Sequence, residues 1–171
     1  MAIHLLNKDR HGAKELSCSI TDALETINKC SMCRALSEFD VCAICSNERR
    51  LKDQICVVES LQDMYAIEQG GGFKGKYFVL YGHLSPIDGV GVEDLGINLL
   101  IERIRSGEIK EIIIATNLTV EGQATAHFIA DKARTLDIAV SRIAHGVPVG
   151  GELEYLDGGT LNLAIESRQG F

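Results

Sequence analysis

Short apolar runs that end in polar residues recur through the middle of the chain. This pattern predicts strands near 55–59, 77–81, 111–115 and 138–143, and helices near 61–69, 93–106 and 121–135. Strands that are apolar throughout are typical of parallel sheets buried on both faces, and alternating strands and helices indicate βαβ crossovers. We therefore predict an α/β fold over residues 54–149, with a mostly parallel sheet flanked by helices.

Helical periodicity extends on both sides of this block. A short apolar helix is predicted to start at Ala2 and to end near His11 and Gly12. A second helix is predicted from apolar residues at three- and four-residue steps, namely Leu16, Ile20, Ala23, Leu24 and Ile27. Because the chain opens directly on an apolar helix, we expect a preceding element to be missing. Residues 160–167 predict a short C-terminal helix.

Two Cys-x-x-Cys pairs precede the predicted sheet: Cys30 with Cys33, and Cys42 with Cys45. Four thiolates suit tetrahedral zinc. Disulfides are disfavoured without a secretory signal, and a redox motif needs only one pair. An iron–sulfur cluster uses the same four sulfurs, but the knuckle spacing favours zinc. Since four ligands leave no open position, we expect a structural zinc that staples a segment too small for its own core.

Several other features receive ordinary structural interpretations. Cys18 and Cys56 are predicted to be small buried hydrophobes, and residues 48–53 a solvated polar connector. Residues 70–76 match G-x-x-x-x-G-K, but Tyr77 stands where a P-loop needs Ser or Thr, and a strand follows instead of a helix. We interpret this stretch as a glycine-rich turn. His83, alone in a loop, is assigned no role.

Composition and charge narrow the class of protein. With 171 residues, 46% of them hydrophobic and 24% charged, the chain has the size and composition of one globular domain with small attachments. It has neither an apolar run of membrane-spanning length nor the features of a signal peptide, so we expect a cytoplasmic location. The net charge is −7, all of it carried by residues 55–171. That disfavours strong stand-alone binding of nucleic acid, whose affinity comes largely from phosphate neutralisation.

Polar residues follow two of the predicted strands. Glu59 ends the first strand, and Asn117, Thr119 and Glu121 follow the third. Sites in open α/β sheets form at this edge, and carboxylates there could hold magnesium. Asparagine and threonine also begin turns and cap helices, and the residues alone favour that interpretation of Asn117 and Thr119.

The chain resembles the RecR family of bacterial recombination mediators over nearly its whole length. The four-cysteine motif and residues 55–60, 77–89, 115–126 and 142–154 carry the resemblance. It implies a central Toprim domain, which is shared with topoisomerases, primases and some nucleases. Those enzymes have a strand-end Glu and a later D-x-D motif. Here Glu59 matches the Glu, whereas Asn117 and Thr119 replace both aspartates. The resemblance thus implies a remnant site of Glu59, Asn117, Thr119 and Glu121 that contacts a partner or DNA without catalysis.

The resemblance also implies a domain organisation and a function. Residues 1–29 would be the remnant of a helix-hairpin-helix domain, 30–45 a four-cysteine zinc finger, 54–149 the Toprim domain, and 150–171 a tail that contacts another protomer. The implied role, near the bacterial nucleoid, is to act with RecO and RecF in loading RecA onto single-stranded gaps. The resemblance also implies one zinc per chain and, when full length, a ring-like homo-oligomer that binds DNA. Without the DNA-binding hairpin, we expect weak binding to gapped DNA and a dimer or monomer.

Two alternatives come from other classes of protein. One is a Toprim-type, magnesium-dependent nuclease, primase or topoisomerase-like enzyme, which the replacement of D-x-D by Asn117-x-Thr119 disfavours. The other is a zinc-stapled interaction module with no DNA role. A DNA-binding assay in the presence of RecO separates that module from a mediator.

Overall fold

The computed structural model describes residues 2–144 and 146–168. Residues 1, 145 and 169–171, which fall within the predicted segments 1–29, 54–149 and 150–171, lie outside the described residues. In chain order the elements are α1 (Ala2–Lys8), α2 (Arg10–Thr26), β1 (Asn28–Lys29), β2 (Leu36–Ser37), α3 (Ala43–Ser46), β3 (Gln54–Val58), α4 (Leu61–Gly70), β4 (Lys76–Val79), α5 (Ile97–Arg105), β5 (Glu111–Ala115), α6 (Val120–Arg134), β6 (Ala139–Arg142), a 3₁₀ turn (Leu153–Tyr155) and α7 (Gly158–Glu166).

A parallel sheet in the order β4-β3-β5-β6 forms the centre of the molecule. Val58 is level with Val79 on one side and with Ala115 on the other. Alternate side chains along β3 point to opposite faces, as the strand period requires: Ile55 lies in a core with α5 and α6, whereas Val58 lies in a second core with α4 and the four cysteines. The predicted α/β fold with a mostly parallel sheet is confirmed.

The first helix ends earlier than the sequence predicted. It stops at Lys8, and Gly12 lies inside α2 rather than between the helices. The Asp9 side chain accepts a hydrogen bond from the Gly12 N–H at 2.8 Å and so caps α2. A capping aspartate stabilises a helix start by about 1 kcal/mol, comparable with the helix-propensity cost of Gly12, about 1 kcal/mol. The cap therefore decides where the second helix begins.

The N-terminal helices contribute no side chain to the core. α1 and α2 contact each other, and neither contains a buried residue. The apolar face predicted for α2 is exposed, with Leu24 at 79% of its maximal accessible surface. Cys18 is exposed on this helix, so its predicted burial was wrong, whereas Cys56 is buried in β3 as predicted. Helical periodicity identified the apolar face correctly but not whether it is covered.

The four-cysteine segment packs against the sheet and shares its second core. The Val79 N–H at the outer edge of β4 donates to the Cys33 carbonyl at 2.9 Å. From α5, the Arg103 guanidinium donates to the Met32 carbonyl at 2.7 Å and to the Tyr77 carbonyl at 3.1 Å. Because these contacts join residues far apart in sequence, the segment and the sheet are expected to unfold together.

The polar connector before β3 is not simply solvated, because Arg50 is bound within the fold. Its guanidinium donates to both carboxylate oxygens of Glu68, at 2.6 and 3.0 Å, and to the Gly75 carbonyl at 2.7 Å. The Tyr77 hydroxyl also donates to Glu68, at 2.8 Å. Only 10% of the Arg50 side chain is exposed. The prediction of a solvated linker was wrong at this residue, since its ion-pair partner on α4 could not be inferred from local sequence.

Replacing Arg50 with alanine should lower the free energy of unfolding by about 2 kcal/mol, between the values typical of exposed and buried pairs, because Glu68 would lose its partner. The Arg50 hydrogen bond lowers the pKa of Glu68 from its ordinary value of 4.5. A lowered carboxyl pKa stabilises the fold above the ordinary value and ceases to do so as pH falls through the lowered one. In urea unfolding, the free energy of unfolding of Arg50→Ala should therefore be lower than that of the parent at pH 7, and the difference should shrink in acid. Arg49→Ala, at an exposed neighbour, is the control and should match the parent; a deficit independent of pH would contradict the ion-pair explanation.

Candidate functional site: a four-cysteine cluster and the carboxyl edge of the sheet

The four predicted cysteine ligands lie together and are buried. Their sulfur atoms are all within 4.8 Å of one another. Cys30 and Cys33 lie in the hairpin between β1 and β2, and Cys42 and Cys45 lie at and within α3. The Ala35 N–H donates to Cys33 Sγ at 3.4 Å and the Cys42 N–H donates to Cys30 Sγ at 3.3 Å. Zn–S bonds of about 2.3 Å need sulfurs about 3.8 Å apart in a tetrahedron, so the donor type and spacing fit zinc.

Proton affinities within the cluster are uneven. Burial raises the pKa of Cys42 to about 11. A hydrogen bond with Cys45, followed by burial, raises the pKa of Cys33 well above its usual range. At Cys30 burial also acts to raise the pKa, but backbone N–H donors outweigh it and lower the pKa to about 7. Because a metal binds thiolates, a zinc ion here would displace protons from the sulfurs that hold them most tightly.

At the carboxyl edge of the sheet, Glu59 and Asn117 are hydrogen-bonded to each other. Glu59 follows β3 and is only 7% exposed. The Asn117 main-chain N–H donates to Glu59 Oε1 at 2.9 Å, and Asn117 Nδ2 donates to Glu59 Oε2 at 2.7 Å. His83 Nδ1 lies 3.7 Å from the same Oε2. Both carboxylate oxygens thus accept hydrogen bonds from one residue, at the position where a first aspartate would stand in D-x-D.

The other two predicted edge residues do not contact the Glu59 carboxylate. Thr119 caps α6 by accepting a hydrogen bond from the Gly122 N–H at 3.0 Å. Glu121 is exposed on the first turn of α6. A Cβ atom at Gly122 would overlap the Asn117 carbonyl oxygen and lie 2.7 Å from Glu59 Oε1, so the close approach of α6 requires glycine. In the part of the chain that the structure describes, the four cysteines are the only cluster of three or more His, Cys, Asp or Glu side chains able to share a metal ion.

The Glu59–Asn117 pair lies in a cleft of about 440 Å³ lined by residues 59–63, Tyr81, Gly82 and Asn117. This is where the strand order reverses, because β4 lies on one side of β3 and β5 on the other, and open α/β sheets bind ligands at such points. The cleft includes Asp63, whose side chain forms a capping box with Ser60 at the start of α4. Sequence reasoning missed Asp63 and the position of His83; the capping-box spacing S-x-x-D was the available signal for Asp63.

The sheet order and the strand-end carboxylate define a Toprim-type α/β domain, and the family model described as Toprim domain matches residues 53–144. The models for the RecR four-cysteine zinc finger domain and the RecR C-terminal domain match residues 27–47 and 146–169. Over 169 residues the chain is 54% identical to recombination protein RecR of Saccharophagus degradans, covering 99% of this chain and 86% of that one. It is 52% identical over 168 residues to recombination protein RecR of Acinetobacter baylyi, covering 98% and 85%. The chain therefore belongs to the RecR family, which confirms the resemblance seen in the sequence.

None of the helices that the structure describes is both long and apolar enough to cross a bilayer.

Proposed function

We propose that the chain is a non-enzymatic mediator of recombinational DNA repair. In this role it acts with RecO and RecF at gapped DNA and helps RecA assemble on single strands coated by the single-strand-binding protein. It would act in the cytoplasm near the nucleoid, as a homo-oligomer that is ring-like when full length. Identities of 54% and 52% to recombination proteins named RecR support the role. A negative chain, at −7, favours recruitment to DNA through partners over binding by this chain alone.

One observation carries the non-enzymatic part of the proposal: Asn117 donates two hydrogen bonds to Glu59. A Toprim enzyme directs several carboxylates toward magnesium, which demands hard anionic oxygen ligands. In this chain an amide N–H₂ group stands where the cation would need an oxygen, and Thr119 is engaged in capping α6. We infer that the edge of the sheet was kept as a rigid surface while its metal chemistry was lost.

We further propose that Cys30, Cys33, Cys42 and Cys45 hold one structural zinc per chain. The support is the burial of all four residues and the mutual approach of their sulfurs within 4.8 Å. With all four coordination positions filled by thiolates, zinc would contribute no catalysis. Its effect would be to fix the hairpin and α3 against the outer edge of β4.

The remnant site of Glu59, Asn117, Thr119 and Glu121 is proposed as a contact surface for a partner. Asp63 and the exposed Glu121 place two carboxylates at this edge, beside one cation, the Arg142 guanidinium, which donates to the Asn117 carbonyl at 3.5 Å. A basic protein surface complements the two carboxylates better than a DNA phosphate does. The interaction would then be sensitive to charge reversal at an exposed position that leaves the Glu59–Asn117 pair intact.

Glu121→Lys should slow RecO-dependent assembly of RecA on single strands coated by the single-strand-binding protein. The expected loss is about tenfold in partner affinity, since like-charge contacts at an interface cost on the order of 1 kcal/mol or more. The measurement is the rate of RecA assembly with fixed RecO and DNA. Glu108→Lys makes the same charge change at an exposed residue near the opposite, amino-terminal edge of the sheet, before β5. Equal rates for the two variants would contradict the proposed contact surface, and no effect of the parent on RecA assembly would contradict the mediator role.

A further inference from the structure

Lys76 is a buried lysine beside the four-cysteine cluster. It is the first residue of β4 and is 7% exposed. Its Nζ donates to the main-chain carbonyl of Cys45 at 2.8 Å. The ion pairs formed among residues 2–144 and 146–168 do not include Lys76. Buried lysine is rare unless a negative charge compensates it.

The hydrogen bond to Cys45 does not by itself account for the burial. An exposed lysine can donate to a carbonyl at the end of a helix equally well. Lys74 does so: its exposed Nζ donates to the Gly71 carbonyl at 2.7 Å. The two lysines lie two residues apart and make the same type of bond, yet only Lys76 is placed against the cysteine cluster. Four thiolates around Zn²⁺ leave two units of net negative charge in that cluster, which is the compensation that a buried ammonium needs.

We propose that Lys76 is the charge partner of the metal centre: its buried ammonium offsets the negative charge of the tetrathiolate and so tightens metal binding. This inference rests on the proposed zinc site. In this proposal Lys76 acts on the metal site through the cysteine ligands, although it belongs to the sheet and not to the four-cysteine segment. Metal affinity would therefore depend on correct folding of β4. Groups that hold and polarise metal ligands from outside the coordination sphere typically change affinity by about 10–100-fold when removed.

The test compares Lys76→Met, which keeps length and apolar bulk, with Lys76→Arg, which keeps the charge, and with Lys74→Met as the matched exposed control. Zinc affinity is measured by competition with a chromophoric chelator, and the thiolate-to-metal absorption of the Co²⁺ form reports the ligand set. Lys76→Met should bind zinc about 10–100-fold more weakly. Lys76→Arg and Lys74→Met should bind it like the parent.

Stability without metal separates a charge role from a packing role. In the metal-free protein the buried Lys76 ammonium has no compensating charge among the residues that the structure describes, which is costly, and a hydrophobe of similar size removes that cost. Metal-free Lys76→Met should therefore melt at or above the temperature of the metal-free parent, while its gain in melting temperature on adding zinc is smaller. Unchanged zinc affinity in Lys76→Met, or equal weakening in Lys76→Arg, would overturn the inference and leave the zinc site standing. A parent protein that binds no zinc would overturn both.

Discussion

Replacing Cys42 with serine is expected to abolish stoichiometric zinc binding and to destabilise the whole sheet. Structural zinc sites supply binding energy of about 10–16 kcal/mol in isolated fingers, which sets the upper limit of the loss. The effect should reach beyond the finger, because Cys42 and Cys33 belong to the same buried cluster as Tyr77 and Val79 of β4. Elemental analysis should find one zinc per parent chain and less in the variant, and urea unfolding should show one cooperative transition at lower urea.

Cys18→Ser is the matched control for that experiment. Cys18 is exposed on α2 and lies outside the cluster, so its replacement should change neither zinc content nor the unfolding midpoint. A parent protein purified without chelator that contains no zinc and has all its thiols titratable would contradict the expectation. Loss of zinc with an unchanged unfolding midpoint would contradict the coupling between the finger and the sheet.

The second large effect is expected from Asn117→Asp. The substitution replaces the Nδ2 donor, 2.7 Å from Glu59 Oε2, by a second carboxylate oxygen. Two carboxylates in contact cannot both ionise without cost. Because Glu59 is buried but residue 117 is exposed, the repulsion is expected to cost about 1–3 kcal/mol. The variant should therefore be destabilised at pH 7. Mg²⁺ or Mn²⁺ at millimolar concentration should restore part of the stability, because the pair would then resemble a magnesium site.

The pH dependence of Asn117→Asp has a definite sign. Mutual repulsion raises the pKa of the carboxyl pair in the folded state, so the destabilisation is greatest at neutral pH and vanishes as pH falls below the ordinary carboxyl values of about 4. Asn98→Asp is the control: Asn98 Nδ2 donates to Glu93 Oε1 at the same 2.7 Å, but on the surface. It should change stability by less than about 0.5 kcal/mol. A melting temperature of the parent that rises with Mg²⁺, or cleavage of supercoiled plasmid by the parent, would contradict the loss of the metal site.

Local sequence was sufficient to predict the sheet and much of its edge. Uninterrupted apolar runs identify β3 and β5 because both strands are covered on both faces, and a polar residue after each run places Glu59 and Asn117 at one edge. The capping role of Thr119 was also accessible, since threonine is a preferred N-cap residue and stands just before the predicted helix 121–135. These are properties of single elements and of the parallel arrangement of strands.

Long-range pairing was not predictable from a single sequence. Neither the ion pair of Arg50 with Glu68 nor the contact of Val79 with Cys33 leaves a periodic signal, because the partners are 18 and 46 residues apart. The same holds for His83, whose 3.7 Å distance to Glu59 depends on the path of a loop. The prediction that Cys18 is buried was wrong for a different reason. The periodicity of an amphipathic helix shows which side is apolar, but not whether another element covers that side.

The contact between Val79 and Cys33 has a consequence for self-association. β4 is one of the two outer strands of the sheet, and an unpaired outer strand is a template on which another chain can add. The Cys33 carbonyl, in the β1–β2 hairpin, accepts the hydrogen bond of the outward-facing Val79 N–H, so the hairpin prevents another strand from pairing with β4 on that side. Stripping the metal would destabilise the hairpin and the sheet together, and the chains that open would expose β4. Chelation should therefore make the protein more prone to ordered aggregation. The four cysteines, on this view, protect the solubility of the protein as much as its stability.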